Sequence, residues 1–193
     1  MGCVLQRLRQ DHANVHRLLQ MLDAQVAALD RRERPDWDIV EGVIEYLLNY
    51  PDLQHHPLED QILQCMQTRD LAAAEPFFGL HSEHREQAQM LRRIAAATRQ
   101  VLQDASMARQ GYIRLLESFV AAQREHMRKE EESFFTAAGE VLDAKDWAEL
   151  EEQLAEATDP LSGDRAERRF AVLRERLDAW DRDDRQAGRS SAQ

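Results

Sequence analysis

The chain is short of the residues that break or staple a fold. Its 193 residues include only seven glycines and five prolines, and a sandwich or barrel needs turn residues roughly every ten positions. An all-β architecture is therefore excluded. The two cysteines, Cys3 and Cys65, lie far apart and outside any CxxC pattern, which rules out a disulfide framework and a thiolate zinc site and leaves reduced, structural thiols. No apolar run approaches the ~20 residues of a membrane span, and Gln6, Arg7 and Arg9 stand where a signal peptide would carry its apolar stretch. Positive charge is in the minority, 25 Lys and Arg against 36 Asp and Glu, for a net charge of -11. That balance repels nucleic acid and anionic lipid. The expectation is a soluble, cytoplasmic protein with neither as a partner.

What the chain has instead is Ala, Leu, Glu, Arg and Gln in helical periodicity. Leu5, Leu8, Val15, Leu19, Leu22, Val26 and Leu29 recur at steps of three and four, and the one missing slot holds His12. A second stretch, about residues 36 to 67, carries Trp37, Ile44, Leu48, Ile62 and Met66 on a stripe that passes through His55 and Glu59. Pro51 and Pro57 interrupt it, which predicts a kink or short break between residues 50 and 57. A third stretch, about 71 to 103, carries Phe77, Leu80, Ala88, Leu91, Ala95 and Leu102 and passes through His84. A fourth, about 107 to 138, carries Tyr112, Leu115, Phe119, Phe134 and Ala137 and passes through His126 and Glu130, with Gly139 as the stop. Four helical segments of similar length predict an all-α, up-down-up-down antiparallel four-helix bundle over residues 1 to 140. A helical extension over residues 141 to 185 should follow, with a short helix at about 146 to 154, a breaker at 159 to 163 and a charged helix from about 164 to 180. Residues 186 to 193 read as a disordered tail.

Polar residues on these stripes carry the functional signal. In an antiparallel hairpin, residues at one height are equidistant from the turn. The midpoint of His12 and His55 falls between Glu33 and Arg34, that of His55 and His84 between Arg69 and Asp70, and that of His84 and His126 at Ala105. All three midpoints fall in expected connections, so one imidazole from each helix arrives at one level, to within about a turn. Glu59 and Glu130 each follow a seam histidine by four residues and share its face. Four histidines and two glutamates inside a bundle need compensation for buried charge, and divalent cations supply it. Imidazole with carboxylate suits iron, manganese or zinc, and two carboxylates able to bridge suggest two ions.

Three further histidines need placing. His16 follows His12 by a turn on the side away from the glutamates and reads as a surface or supporting residue. His81, three residues before His84, lies toward the glutamate level and is a further candidate ligand, rotated about 60° from His84. His56 pairs with Asp60 at i,i+4, so His56 with Asp60 is an alternative register to His55 with Glu59. Asp11, Asp60 and Glu131 are placed to orient imidazole N–H groups.

The segments Asp11-His12, His55-His56-Pro57-Leu58-Glu59-Asp60, Glu83-His84 and His126-Met127-Arg128-Lys129-Glu130-Glu131 resemble the bacterial hemerythrin-like, or HHE cation-binding, family over about residues 1 to 140. The resemblance implies a four-helix bundle around a non-haem di-iron centre of two iron ions, with histidine terminal ligands, two carboxylate bridges and an oxo or hydroxo bridge; other divalent metals are compatible. Carried over residue by residue, His12, His55, Glu59, His84, His126 and Glu130 look like the metal ligands. Oxygen-carrying members use five histidines, two of them a full turn apart on the third helix, whereas His81 and His84 are three apart. The family implies binding or sensing of oxygen, nitric oxide, peroxide or iron, often in stress response, and so a metal- and oxygen-binding protein in preference to a classical enzyme. Phe77, Phe119, Phe134, Leu19 and Leu22 would wall such a site.

Two other readings are separable. A ferritin-like oxidase needs a Glu-x-x-His motif on each of two helices, and the chain has none. A metal-free helical interaction module would use the acidic surface and the charged C-terminal segment.

Overall fold

The structure is a computed structural model that describes residues 2 to 103, 109 to 154, 173 to 179 and 182. It is all-α. The helices are α1 (Gly2–Asp30), α2 (Trp37–Tyr50), α3 (His56–Arg69), α4 (Leu71–Ala74), α5 (Leu80–Leu102), α6 (Arg109–Lys129), α7 (Phe135–Val141) and α8 (Ala144–Leu154). A π-helical turn, Pro51–His55, joins α2 to α3, and a second, Glu130–Phe134, joins α6 to α7. Each composite is one long rod, so the bundle is α1, α2 with α3, α5, and α6 with α7, in up-down-up-down order. α1 packs against α2 and α6, and α5 packs against the same two rods.

Local chemistry sets the ends. α1 stops where Arg32 takes φ 63°, a left-handed conformation, with Glu33 N–H donating to the Ala28 carbonyl at 2.9 Å. Asp36 then caps α2 by accepting from the Ile39 and Asp38 amides, and its own amide donates to Gln25 Oε1 at 2.8 Å. Asp70 caps α4 through the Ala73 amide at 3.1 Å. Asp143 and Asp146 cap α8 reciprocally, each carboxylate accepting the other's backbone N–H.

The second rod is irregular where a kink or short break was expected. Proline removes an amide donor and crowds the preceding turn, and here a widened turn absorbs both prolines while the chain remains helical. His56 N–H donates to the Pro51 carbonyl, five residues back. The extra residue shifts the inward face by one position. Val43, Leu47 and Tyr50 are buried before the turn and His55, Glu59, Ile62 and Met66 after it, while Leu48 is only half-buried. Two expectations are corrected. Gly139 does not stop the last rod, because Phe135–Val141 stays helical and Leu142 is its cap. Leu102, expected on the stripe, is 42 % exposed at the end of α5.

The apolar interior forms two blocks. One gathers Val15 to Leu29 of α1 with α2, the far half of α5 and most of α6, and includes Leu173 and Leu177. The other gathers Val4, Leu5 and Leu8 with α3, Leu80, Phe134, Phe135 and α8. Leu173 packs over α2, 3.5 Å from where a Cβ on Gly42 would stand, and Arg176 pairs with Asp36 at 3.2 Å. Of the expected charged helix at about 164 to 180, residues 173 to 179 are helical; the rest, the breaker at 159 to 163 and the tail at 186 to 193 lie outside the described residues. No helix among the described residues is long and apolar enough to cross a membrane.

Candidate metal centre

A polar layer lies between the two apolar blocks. It holds His12 from α1, His55 from the first π turn, His56 and Glu59 from α3, His84 from α5, His126 from α6 and Glu130 from the second π turn. Their donor atoms form two clusters, His12, His55, Glu59 and Glu130 in one and His56, His84 and His126 in the other, each with its ligand atoms within 4.8 Å of one another. All are buried except His56, which is half-buried.

The glutamates tie the clusters together. Glu59 Oε1 lies 3.2 Å from His55 Nε2, and its Oε2 lies 3.4 Å from His84 Nε2. Glu130 Oε2 lies 3.3 Å from His12 Nε2, and its Oε1 lies 2.8 Å from His126 Nε2 and 3.3 Å from His84 Nε2. Each carboxylate therefore offers one oxygen to each cluster. His12 Nε2 and His55 Nε2 converge to 3.1 Å. In the other cluster the His56 and His84 rings stack at 3.8 Å, and His84 meets His126 edge to face at 4.9 Å.

Outer carboxylates orient three of the rings. His12 Nδ1 faces Glu131 at 2.9 Å, His55 Nδ1 faces Asp11 at 3.3 Å, and His126 Nδ1 faces Glu83 at 3.1 Å. Each acid is adjacent in sequence to a cluster residue, yet holds an imidazole of a neighbouring rod. Asp11 is itself gripped by Arg7 Nε at 3.2 Å and by the Tyr50 hydroxyl at 3.1 Å. Such partners fix ring orientation and raise ligand basicity. Asp60, expected in the same role, lies instead 3.6 Å from His81 Nδ1, and both are exposed. His81 does not join either cluster, because its position on α5 turns it toward the surface, and His16 is exposed on α1.

Electrostatics follow from this crowding. Burial opposes charge on His55, but Glu59, with Asp11 and Glu130, outweighs it and the pKa rises to about 10. His126 is raised in the same way, chiefly by Glu130 against its burial. Burial would raise the Glu130 carboxyl, yet contacts from His12, His126 and His84 hold it well below the usual carboxylate range.

Even so, both Glu59 oxygens, Glu130 Oε2 and His84 Nδ1 are buried without a hydrogen-bond partner. Unsatisfied carboxylate oxygens in a dry interior are costly, and the donor set of imidazole and carboxylate is the one that first-row divalent cations take. The residues fit a pair of such ions.

The sequence treated His55 and His56 as alternatives, whereas the geometry gathers both. Nothing in the helical spacing assigns Glu83 a role; its one signal in the sequence is that, like Asp11, it immediately precedes a seam histidine. The expected apolar wall is partly in place. Phe77 and Phe134 line a cavity of about 290 Å³ that reaches His126 and Glu130, and Phe119 borders a space of about 20 Å³ beside His56 and His84. Leu19 and Leu22 belong to the larger apolar block.

A helical bundle with paired His and Glu clusters in its interior is the architecture of a dinuclear metal-binding protein. The Hemerythrin HHE cation binding domain model matches residues 3–138, and the chain belongs to that family, whose members bind metals and oxygen. No match was found among curated proteins, and none among solved structures.

Proposed function

We propose that the two clusters hold a non-haem di-iron centre that binds or senses a small ligand, oxygen, nitric oxide or peroxide, in a stress response. His12 and His55 would be the terminal ligands of one ion, His56, His84 and His126 those of the other, and Glu59 and Glu130 the bridges. The observation that carries this reading is the division of both carboxylates, one oxygen toward each cluster.

The imidazoles divide unequally, two and three, so the cluster of His12 and His55 would give its ion fewer protein donors and would leave a position for an exogenous ligand. When bound, iron supplies that attachment point and the electrons exchanged with the ligand. The chain's own residues do the rest. Asp11, Glu131 and Glu83 hold the rings in place, the apolar blocks exclude bulk water, and the cavity beside Phe77 and Phe134 reaches the layer at His126 and the bridging Glu130. His56 makes a fifth imidazole, which supports reversible oxygen binding without His81.

Iron analysis of the purified protein should give about two ions per chain with near-ultraviolet charge-transfer absorption, as the two clusters require. Stopped-flow mixing of the reduced protein with oxygen, peroxide and nitric oxide would then rank the ligands. A protein that takes up no metal and loses no stability under chelators would leave the interaction-module reading.

A further inference from the structure

At the outer edge of the metal layer, α5 presents a face that contradicts the charge of the molecule. His81, Arg85 and Arg92 border a groove of about 450 Å³ whose floor is formed by His56 and His84. The chain carries a net charge of -11, yet among the described residues Asp60 is the only carboxylate lining this groove, and it lies 3.6 Å from His81. One acid faces two arginines and an imidazole.

The two arginines are uncommitted. Arg7, Arg31, Arg69, Arg124, Arg128 and Arg176 are all in ion pairs with carboxylates. Among the described residues, the Arg85 and Arg92 side chains have no ion pair or hydrogen bond, as is also true of Arg93 on the same helix; what sets the two apart is that they line the groove. They sit seven residues apart, on one face of α5 and separated by about 10 Å along its axis. Guanidinium forks matched to a concave space of small-molecule size are how proteins recognise carboxylates and phosphates.

We propose that this groove binds a small, multiply charged oxyanion, a phosphate ester or a dicarboxylate, held between Arg85 and Arg92. The proposal does not depend on the metal assignment, but it gives that assignment a neighbour. His56 is the only half-buried member of the two clusters, so an anion in the groove rests beside the one imidazole that joins the surface to the interior.

Isothermal titration of the purified protein at fixed ionic strength, with inorganic phosphate, phenyl phosphate and succinate as probes, tests this directly. Saturable one-site binding is expected, weakened about tenfold or more in the Arg85→Gln/Arg92→Gln variant and unchanged in Arg93→Gln, an exposed arginine of the same helix outside the groove. Preference for the phosphates identifies a phosphate ester as the ligand class, and preference for succinate a dicarboxylate. Absence of saturable binding by all three probes overturns the proposal, as does binding equally strong in the double variant. Both arginines are exposed, so the variant should keep the wild-type circular dichroism and melting temperature. Titrating metal-free and metal-loaded samples side by side separates failure of this site from failure of the metal reading.

Discussion

His55 and His56 are consecutive in the chain, yet their imidazoles fall in different clusters, with ring centroids 5.8 Å apart and planes 75° to one another. Neighbours on a helix diverge by about 100°, so two adjacent side chains rarely serve one interior site. The π turn that closes at His55 places the pair astride the seam. Replacing either by Ala should abolish the dinuclear spectrum and reduce the metal content, whereas His81→Ala and His16→Ala should keep about two ions per chain, as their exposure requires. Metal analysis of the four variants checks this; full retention in His56→Ala would remove it from the ligand set.

Glu59 and Glu130 should be less replaceable than any single histidine. Each is the shared partner of both clusters, so Glu59→Ala or Glu130→Ala removes a donor from two ions at once. Loss of at least one ion and of near-ultraviolet absorption is expected. Both variants retaining full metal would contradict the bridging assignment.

The outer carboxylates should tune affinity without deciding stoichiometry. Asp11→Asn, Glu83→Gln and Glu131→Gln should each weaken metal binding by about 10- to 100-fold, measured by competition with a chelator. Asp11 should show the largest effect, since it is buried and also holds Arg7 and Tyr50. Tyr50→Phe should reproduce a small part of it.

Metal uptake should release protons. In the metal-free protein His55 titrates near 10, above the ordinary imidazole value of 6.5, so at neutral pH a cation must displace its proton. Apparent metal affinity should therefore rise with pH up to about 10. The metal-free fold behaves oppositely: the stability due to this raised pKa is complete below 6.5 and is lost as pH climbs through 10. Calorimetry in buffers of different ionisation enthalpy counts the protons, and a count of zero would contradict the site's electrostatics.

The first π turn can be tested by its length. Deleting Gln54 should let the turn close as ordinary α-helix with α3 still in phase, because the step from Tyr50 to His55 shortens from five residues to the four that keep one helix face. Glu59 should keep its place and metal binding should survive in the deletion, whereas inserting a second residue beside Gln54 should turn Glu59 away and abolish it; loss of metal in the deletion would contradict the turn as the absorber of the extra residue.

Much of this was legible in the sequence. In α1 every stripe residue from Leu5 to Leu29 is buried, with His12 in the gap, because an uninterrupted helix keeps its phase. The levels of His55, His84 and His126 followed from hairpin geometry alone. What escaped was phase across an insertion: a stripe carried through Pro51 and Pro57 runs along Leu48, while the buried side passes through Leu47 and Tyr50. The same insertion hid the joint use of His55 and His56. Glu83 escaped for a different reason, since it orients the ring of another rod and no spacing within α5 reveals that.

The polar layer also divides the bundle into halves, each with an apolar block of its own. Metal ions at this waist would rivet side chains from every rod across it. Without them the halves share continuous backbone and the crowded imidazoles and carboxylates of the layer, so loading the centre should decide whether the two ends of the protein melt as one unit.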